Sequence, residues 1–168
     1  MELLVVKSVI FALLAPGTVA GVVPMLIVRA ADGWGVVQLG LGHYAGALFF
    51  VPGLTIVAWT FSDFVRHGRG TPNPAEPPRH LVVTGLYRHT RNPMYVGVGA
   101  LVLGEAVYTG SLPLLAYTAA IFLMWQAFIV FYEEPTLHKL FGAEFERYQS
   151  NVPRWLPRLR PWRPEASE

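Results

Sequence analysis

The chain has 168 residues, 53% apolar and 14% charged, with 13 Lys+Arg against 11 Asp+Glu and a net charge of +2. That is too apolar for an ordinary soluble domain of this length, and short enough for a single domain. It contains no cysteine, which excludes disulfides, thiolate nucleophiles, cysteine metal sites and palmitoylation.

The apolar residues fall into four blocks, 3–28, 44–61, 94–109 and 112–132, interrupted only by Lys7 and Glu105. A bilayer core takes about 20 apolar residues of helix, with a range of roughly 17–25. The first and last blocks meet this easily. The middle two are short, which predicts local thinning of the bilayer or packing inside the protein. The expected fold is all-α: one membrane domain over residues 1–168, a bundle of four transmembrane helices. In the first block Pro16, Gly17, Gly21 and Pro24 predict a kinked helix. Only Lys7 precedes its apolar stretch, which exceeds a signal h-region, so it reads as a membrane helix rather than a cleaved signal.

Basic residues set the expected orientation. Arg66, Arg69, Arg79, Arg88 and Arg91 lie between the second and third blocks; Lys139, Arg147, Arg154, Arg158, Arg160 and Arg163 follow the fourth. Lys7 is N-terminal, and only Arg29 falls on the other side. Both termini and the central loop are therefore expected to face the cytoplasm, against anionic headgroups. No groove-reading motif is present, and nucleic acid is not an expected partner.

The Pro-rich residues 71–78 cannot be helical and read as extended, polyproline-like chain. Next comes Gly85-Leu86-Tyr87-Arg88-His89-Thr90-Arg91-Asn92-Pro93-Met94-Tyr95-Val96-Gly97, which sets arginines and a histidine directly before an apolar helix. Asn92 is a good N-cap and Pro93 suits the first helical position. A helix start lined with arginine favours anions, because its N–H groups and dipole add to the side-chain charge.

Gly110-Ser111 with Pro113 predicts a tight turn, so the third and fourth helices form an antiparallel hairpin. Counting outward from that turn sets Tyr95 level with Gln126, Arg91 with Val130 and Arg88 with Glu133. The arginine motif and the pair Glu133-Glu134 then share one depth. After Glu134, Pro135 can begin a new helix, in which Leu137, Leu140, Phe141, Phe145 and Tyr148 form an apolar stripe weakened at Gly142. This predicts a C-terminal interfacial amphipathic helix over the cytoplasmic mouth, with Trp155 and Trp162 as headgroup-level anchors.

A ligand held between these clusters needs both anionic and cationic groups. S-adenosylmethionine has them, along with a ribose diol, an adenine and a sulfonium. Arg91 and the Asn92–Pro93 helix start suit its carboxylate. Glu133 or Glu134 suits its ammonium or ribose hydroxyls, and Tyr87 and Tyr95 suit the sulfonium by cation–π attraction. Gly97 and Gly99 would let a bulky ligand approach the backbone.

Plainer readings compete. Arginines at a membrane edge commonly set topology or snorkel. Tyr87 and Tyr95 would also serve in an aromatic belt. Gly97, Leu101, Gly104 and Tyr108 share a helix face, where small residues commonly serve helix packing. The acidic pair is harder to explain away. It repels itself at the electronegative end of a helix, so Arg88, Arg91 or a ligand should compensate it.

Glu105 lies about 18 Å along its helix from Pro93, near mid-bilayer. There it is either a functional acid or one hydrogen-bonded to Tyr108, Tyr117 or Gln126. His89 and His138 are possible proton carriers. The five histidines have no metal-ligand spacing, and no metal is expected.

The segment from Gly85 to Gly97, together with Glu133-Glu134 and the following Leu137, Phe141-Gly142, Phe145, Tyr148 and Pro153, resembles integral-membrane methyltransferases. These are the isoprenylcysteine carboxyl methyltransferases and phospholipid N-methyltransferases. The resemblance covers about residues 80–157. It implies a helical membrane bundle with S-adenosylmethionine at the cytoplasmic side, bound in a core formed by residues 80–157, and a lipophilic or lipid-linked acceptor entering from the bilayer. It also implies cofactor binding by Gly97-Val98-Gly99 and by Glu133-Glu134. The family's usual Arg-His-Pro is Arg-Asn-Pro here, with Asn92 in the histidine position. The isoprenylcysteine branch also often carries additional helices.

The expected site is accordingly Arg91, Tyr95, Glu105 and His89 for catalysis, with Tyr87, Arg88, Asn92, Pro93, Tyr95, Gly97, Gly99, Glu133 and Glu134 for the cofactor. Methyl transfer from a sulfonium asks the protein mainly to align donor and acceptor and to exclude water. A carboxylate acceptor needs a cationic clamp, which Arg91 or Arg154 would supply. An amine acceptor needs a base, which points to a Glu or His89. Two alternatives remain: a nicotinamide-dependent membrane reductase related to sterol reductases, and a non-catalytic four-helix membrane protein.

Overall fold

A computed structural model of the chain describes residues 14–38, 40–67 and 81–163. The Pro-rich residues 71–78, Lys7 and the two chain ends lie outside the described residues. Those described are helical apart from loops and one isolated bridge, Val36 to Ser111. Five helices follow in order: α1 (Leu14–Ala31), α2 (Ala47–His67, entered by a 3₁₀ turn, Gly40–Gly46), α3 (Pro93–Thr109), α4 (Leu112–Phe141) and α5 (Ala143–Asn151).

Three stretches are long and apolar enough to cross a membrane: Leu14–Ala31, Gly40–Asp63 and Leu112–Phe141. Three such stretches in one chain fit a multi-pass membrane protein. The expected fourth span, α3, has 17 residues, about 25 Å of helix and shorter than a hydrocarbon core. It is the most enclosed of the helices. Gly97, Val98, Leu101, Val102, Gly104 and Ala106 are buried on it, because α1, α2 and α4 all pack against it.

The close approach of α2 to α3 rests on two glycine pairs, Gly46 with Gly104 and Gly53 with Gly97. A Cβ on Gly104 would lie 2.8 Å from the Gly46 carbonyl, and one on Gly53 would lie 2.8 Å from the Gly97 carbonyl. Gly97 and Gly104 sit seven residues, close to two turns, apart on α3, as do Gly53 on α2 and Gly46 at the end of the 3₁₀ turn that enters it. The contacts therefore recur on one face of each helix.

The α3–α4 turn forms as expected. Gly110 takes a left-handed conformation, φ 62°, and the Ser111 side chain accepts from the Leu114 N–H. The loop between α1 and α2 clips onto this turn through Val37 N–H to Gly110 O (2.8 Å) and Leu112 N–H to Gly35 O (3.0 Å). Two helix ends and two helix starts are thereby tied together opposite the arginine motif.

One expected boundary is corrected. Pro135 does not begin a separate interfacial helix. Instead α4 runs through it as one 30-residue rod containing a π turn, Ile129–Glu133. Pro135 lacks the N–H that would bond four residues back, and the wider turn carries the helix past that missing donor. A π turn at Thr18–Val22 likewise precedes Pro24 in α1. The break falls at Gly142, φ 48° and ψ −123°, a conformation that favours glycine. Only then does the short α5 begin, burying Phe145 and Tyr148 with Val152 against Leu81, Val83, Leu137, Phe141 and Trp162.

Candidate functional site

The arginine motif begins as a 3₁₀ turn, Gly85–Arg88, and continues as non-helical chain to Pro93. Residues 152–162 lie across it as a strap. Arg91 N–H donates to Pro153 O (2.9 Å), Arg158 N–H to His89 O (2.9 Å) and Trp162 N–H to Arg88 O (2.9 Å). Side chains add to this. Thr90 Oγ1 donates to Arg154 O at 2.9 Å and Asn92 Nδ2 to the same oxygen at 3.2 Å. His89 Nδ1 donates to Arg158 O at 2.7 Å, and Arg88 Nε to Trp162 O at 2.6 Å.

Three expected site residues, Arg88, His89 and Asn92, thus spend side-chain donors on the strap. Asn92 holds the N-cap position of α3, but its side chain makes no capping bond. Trp162 stacks near Tyr148, centroids 5.9 Å apart. Trp155 stacks on Phe122 at 4.8 Å and donates to Gln126 Oε1 at 2.8 Å. Both tryptophans are built into the fold through these contacts.

The acidic pair meets Arg91 and Tyr95, not Arg88. A helical residue count does not extend below Pro93, because the non-helical chain there covers more distance per residue and carries Arg91 further outward. Glu134 Oε1 lies 3.1 Å from Arg91 Nη1. Arg154 grips the same carboxylate with two prongs, Nε to Oε1 at 2.8 Å and Nη2 to Oε2 at 2.7 Å. Gln149 Nε2 also reaches Oε2, at 3.3 Å. Glu133 accepts from the Tyr95 hydroxyl at 3.4 Å. The Tyr95 ring packs near Trp125, centroids 5.2 Å apart, and Pro93 is buried at the helix start.

The charges respond to this enclosure. Burial lowers the Arg91 guanidinium from its ordinary value; Glu134 opposes that shift and the Arg154 charge adds to it. Arg154 is pushed the other way, chiefly by its hydrogen bonds to Glu134. Burial raises the Tyr87 phenol well above its ordinary range, helped by the charges of Glu133 and Asp63. Tyr148, buried and donating to Tyr87 O at 2.7 Å, is raised for the same chief reason. Both phenols therefore stay neutral at physiological pH.

Arg91 is the telling residue. Its side chain is 10% exposed, yet Nε and Nη1 are buried without a hydrogen-bond partner among the described residues. Buried donors left unmade are costly and rare, and a ligand oxygen would satisfy them.

The remaining expected residues lie apart. Gly97 faces α2: a Cβ there would sit 2.8 Å from Val57 Cγ2 and 2.9 Å from Ile56 Cγ2. Its space is taken by helix packing. Gly99 faces α4, with 3.6 Å from such a Cβ to the Trp125 ring. Glu105 is on α3 but about 18 Å along the helix from Pro93, one turn from the helix end. Its Oε2 is buried without a partner among the described residues.

Sequence reasoning did not single out Trp125, Gln149 or Thr90. Thr90 sat unremarked inside the motif itself. Gln149 had a periodicity signal, one turn beyond Phe145 on the final helix.

The described residues thus form an apolar helical bundle with a buried arginine–carboxylate cluster at one end. The family model described as phospholipid methyltransferase matches residues 41–144, and the chain belongs to that family. It is a membrane methyltransferase. Searches among curated proteins and among solved structures return no match. The matched span takes in Arg91, Tyr95, Glu133 and Glu134, and ends before the strap.

Proposed function

We propose that the chain transfers the methyl group of S-adenosylmethionine to a lipophilic or lipid-linked acceptor, carboxylate or amine, at the cytoplasmic leaflet. The observation that carries this reading is the pair of buried donors on Arg91 without a partner among the described residues, beside a Glu133 that accepts from the Tyr95 phenol.

The residues fit a zwitterion. Arg91, Glu134 and Arg154 together carry a net charge of +1, which suits a carboxylate. Glu133 supplies a nearby −1 not matched by a described cation, and suits an ammonium. Tyr95, Trp125 and Tyr87 offer ring faces to a positive group. The helix start at Asn92–Pro93 adds its dipole on the anion side.

In this reading Arg91 and Glu133 hold the ligand, while Glu134 keeps the two arginines in place. Arg88, His89 and Asn92 act through the strap, which shields the cluster from water. The cofactor, when bound, supplies an activated methyl on a sulfonium. The protein's part is alignment and water exclusion, since the electrophile needs no further activation. Glu105 lies too far from Arg91 to share in that step. Family membership and the acidic pair favour this reading over the nicotinamide-dependent one.

The test is equilibrium binding of S-adenosylmethionine to the purified full chain, by calorimetry in lipid nanodiscs. Saturable 1:1 binding supports the reading, and no detectable binding overturns it.

A further inference from the structure

We infer that Arg154 is a positioning residue of this site: it occupies Glu134 from both sides so that Arg91 keeps donors free for a bound anion. The inference rests on the donor-binding reading above. It concerns a residue ten positions beyond the matched span, which ends at 144.

The strap delivers this side chain accurately. Val152 leaves α5 in an extended conformation. The carbonyl of Pro153 is then taken by Arg91 N–H, and that of Arg154 by Thr90 Oγ1 and Asn92 Nδ2. With the backbone pinned on two successive carbonyls, the guanidinium projects onto α4. There it makes the two short bonds to Glu134, 2.8 and 2.7 Å. This parallel fork is the strongest geometry available between these groups.

The consequence is a competition for one carboxylate. Arg91 Nη1 lies 3.1 Å from Glu134 Oε1 as an ion pair but makes no hydrogen bond among the described residues, while Arg154 takes both oxygens of that carboxylate. Were Arg154 absent, a carboxylate only 13% exposed would have one cation left. Arg91 would turn its own fork onto Glu134, since an uncompensated charge in that setting is costly. The donors that Arg91 now holds open would be spent. Arg154 thus acts on ligand binding through Glu134, without touching the ligand. Lysine at 154 would neutralise Glu134 but could not cover both oxygens.

The experiment measures the Kd for S-adenosylmethionine and the ligand-free melting temperature of full-length wild type, Arg154→Ala, Arg154→Lys, Glu134→Gln and the Glu134→Gln/Arg154→Ala double variant. Arg154→Ala should weaken binding by about tenfold or more, Arg154→Lys by less, and the double variant should recover to within about threefold of wild type. Recovery is the distinguishing result, because removing the charge of Glu134 releases Arg91, whereas a merely structural role for Arg154 would not be rescued. Unchanged affinity in Arg154→Ala, or a double variant no better than the single, overturns the inference. If Arg154→Ala does not fold, the lysine and double variants carry the same comparison. If wild type itself binds no S-adenosylmethionine, the donor reading fails on its own. The 134–154 coupling is then read from the melting temperatures: non-additive shifts uphold the pairing and additive shifts overturn it.

Discussion

The Tyr95 hydroxyl donates to Glu133 at 3.4 Å, joining the first turn of α3 to the π turn of α4. One residue on, Glu134 pairs with two arginines. Adjacent carboxylates of one helix thus have opposite surroundings, one beside a neutral phenol and one between cations. They should respond differently to the same substitution.

Glu133→Gln should weaken S-adenosylmethionine binding at least tenfold, about 1.4 kcal/mol, with the melting temperature close to wild type. Glu134→Gln should spare affinity more and cost stability instead. The expected loss is about 1–3 kcal/mol, below the range for fully buried pairs, because Arg154 is 27% exposed. Calorimetry and thermal unfolding on the same preparations check both. Equal affinity losses would show that the two acids share one role.

Arg91 separates a ligand clamp from a membrane anchor. A snorkelling arginine tolerates lysine, whereas a paired-donor site does not. Arg91→Lys and Arg91→Ala should both lose methyl transfer, measured with radiolabelled donor on membrane lipid extracts. Wild-type turnover in the lysine variant would reduce Arg91 to an anchor.

The two glycines of the Gly97-Val98-Gly99 segment should part company. Alanine at Gly97 pushes on Val57 and Ile56 at 2.8 and 2.9 Å, and should cost about 1–3 kcal/mol of stability through overpacking. Alanine at Gly99 meets only an ordinary 3.6 Å contact with Trp125 and should leave the melting temperature nearly unchanged. A Gly97→Ala variant of full stability would show that α2 can yield, and would reopen the space to a ligand.

Orientation is checked by cysteine labelling, for which a chain without cysteine is well suited. Twelve of the thirteen basic residues fall on one side if the central loop is cytoplasmic. A cysteine at Thr71 should then label from the cytoplasmic side. One at Trp34, 75% exposed in the loop after α1, should label from the other. The reverse pattern would invert the bundle.

Hydropathy and punctuation alone determined that this is a helical membrane protein with an α3–α4 hairpin turned at Gly110-Ser111. Both signals are local: apolar block length sets a membrane span, and glycine and proline mark turns whatever surrounds them. The proximity of an arginine motif to an acidic pair was also legible, because an antiparallel hairpin converts sequence distance into depth.

Tertiary structure decided which partners meet. Arg91 rather than Arg88 reaches Glu134, because the motif leaves the helix before Pro93 and no helical count applies to it. Arg154 arrives from a strap whose path is set by carbonyls bonded to Thr90, Asn92 and Arg91, and residue spacing does not encode such contacts. Gly97 packs on α2, since a small residue admits whichever neighbour comes close. Glu105 lies near the far end of α3 from Tyr95, a separation that helical rise sets along one helix.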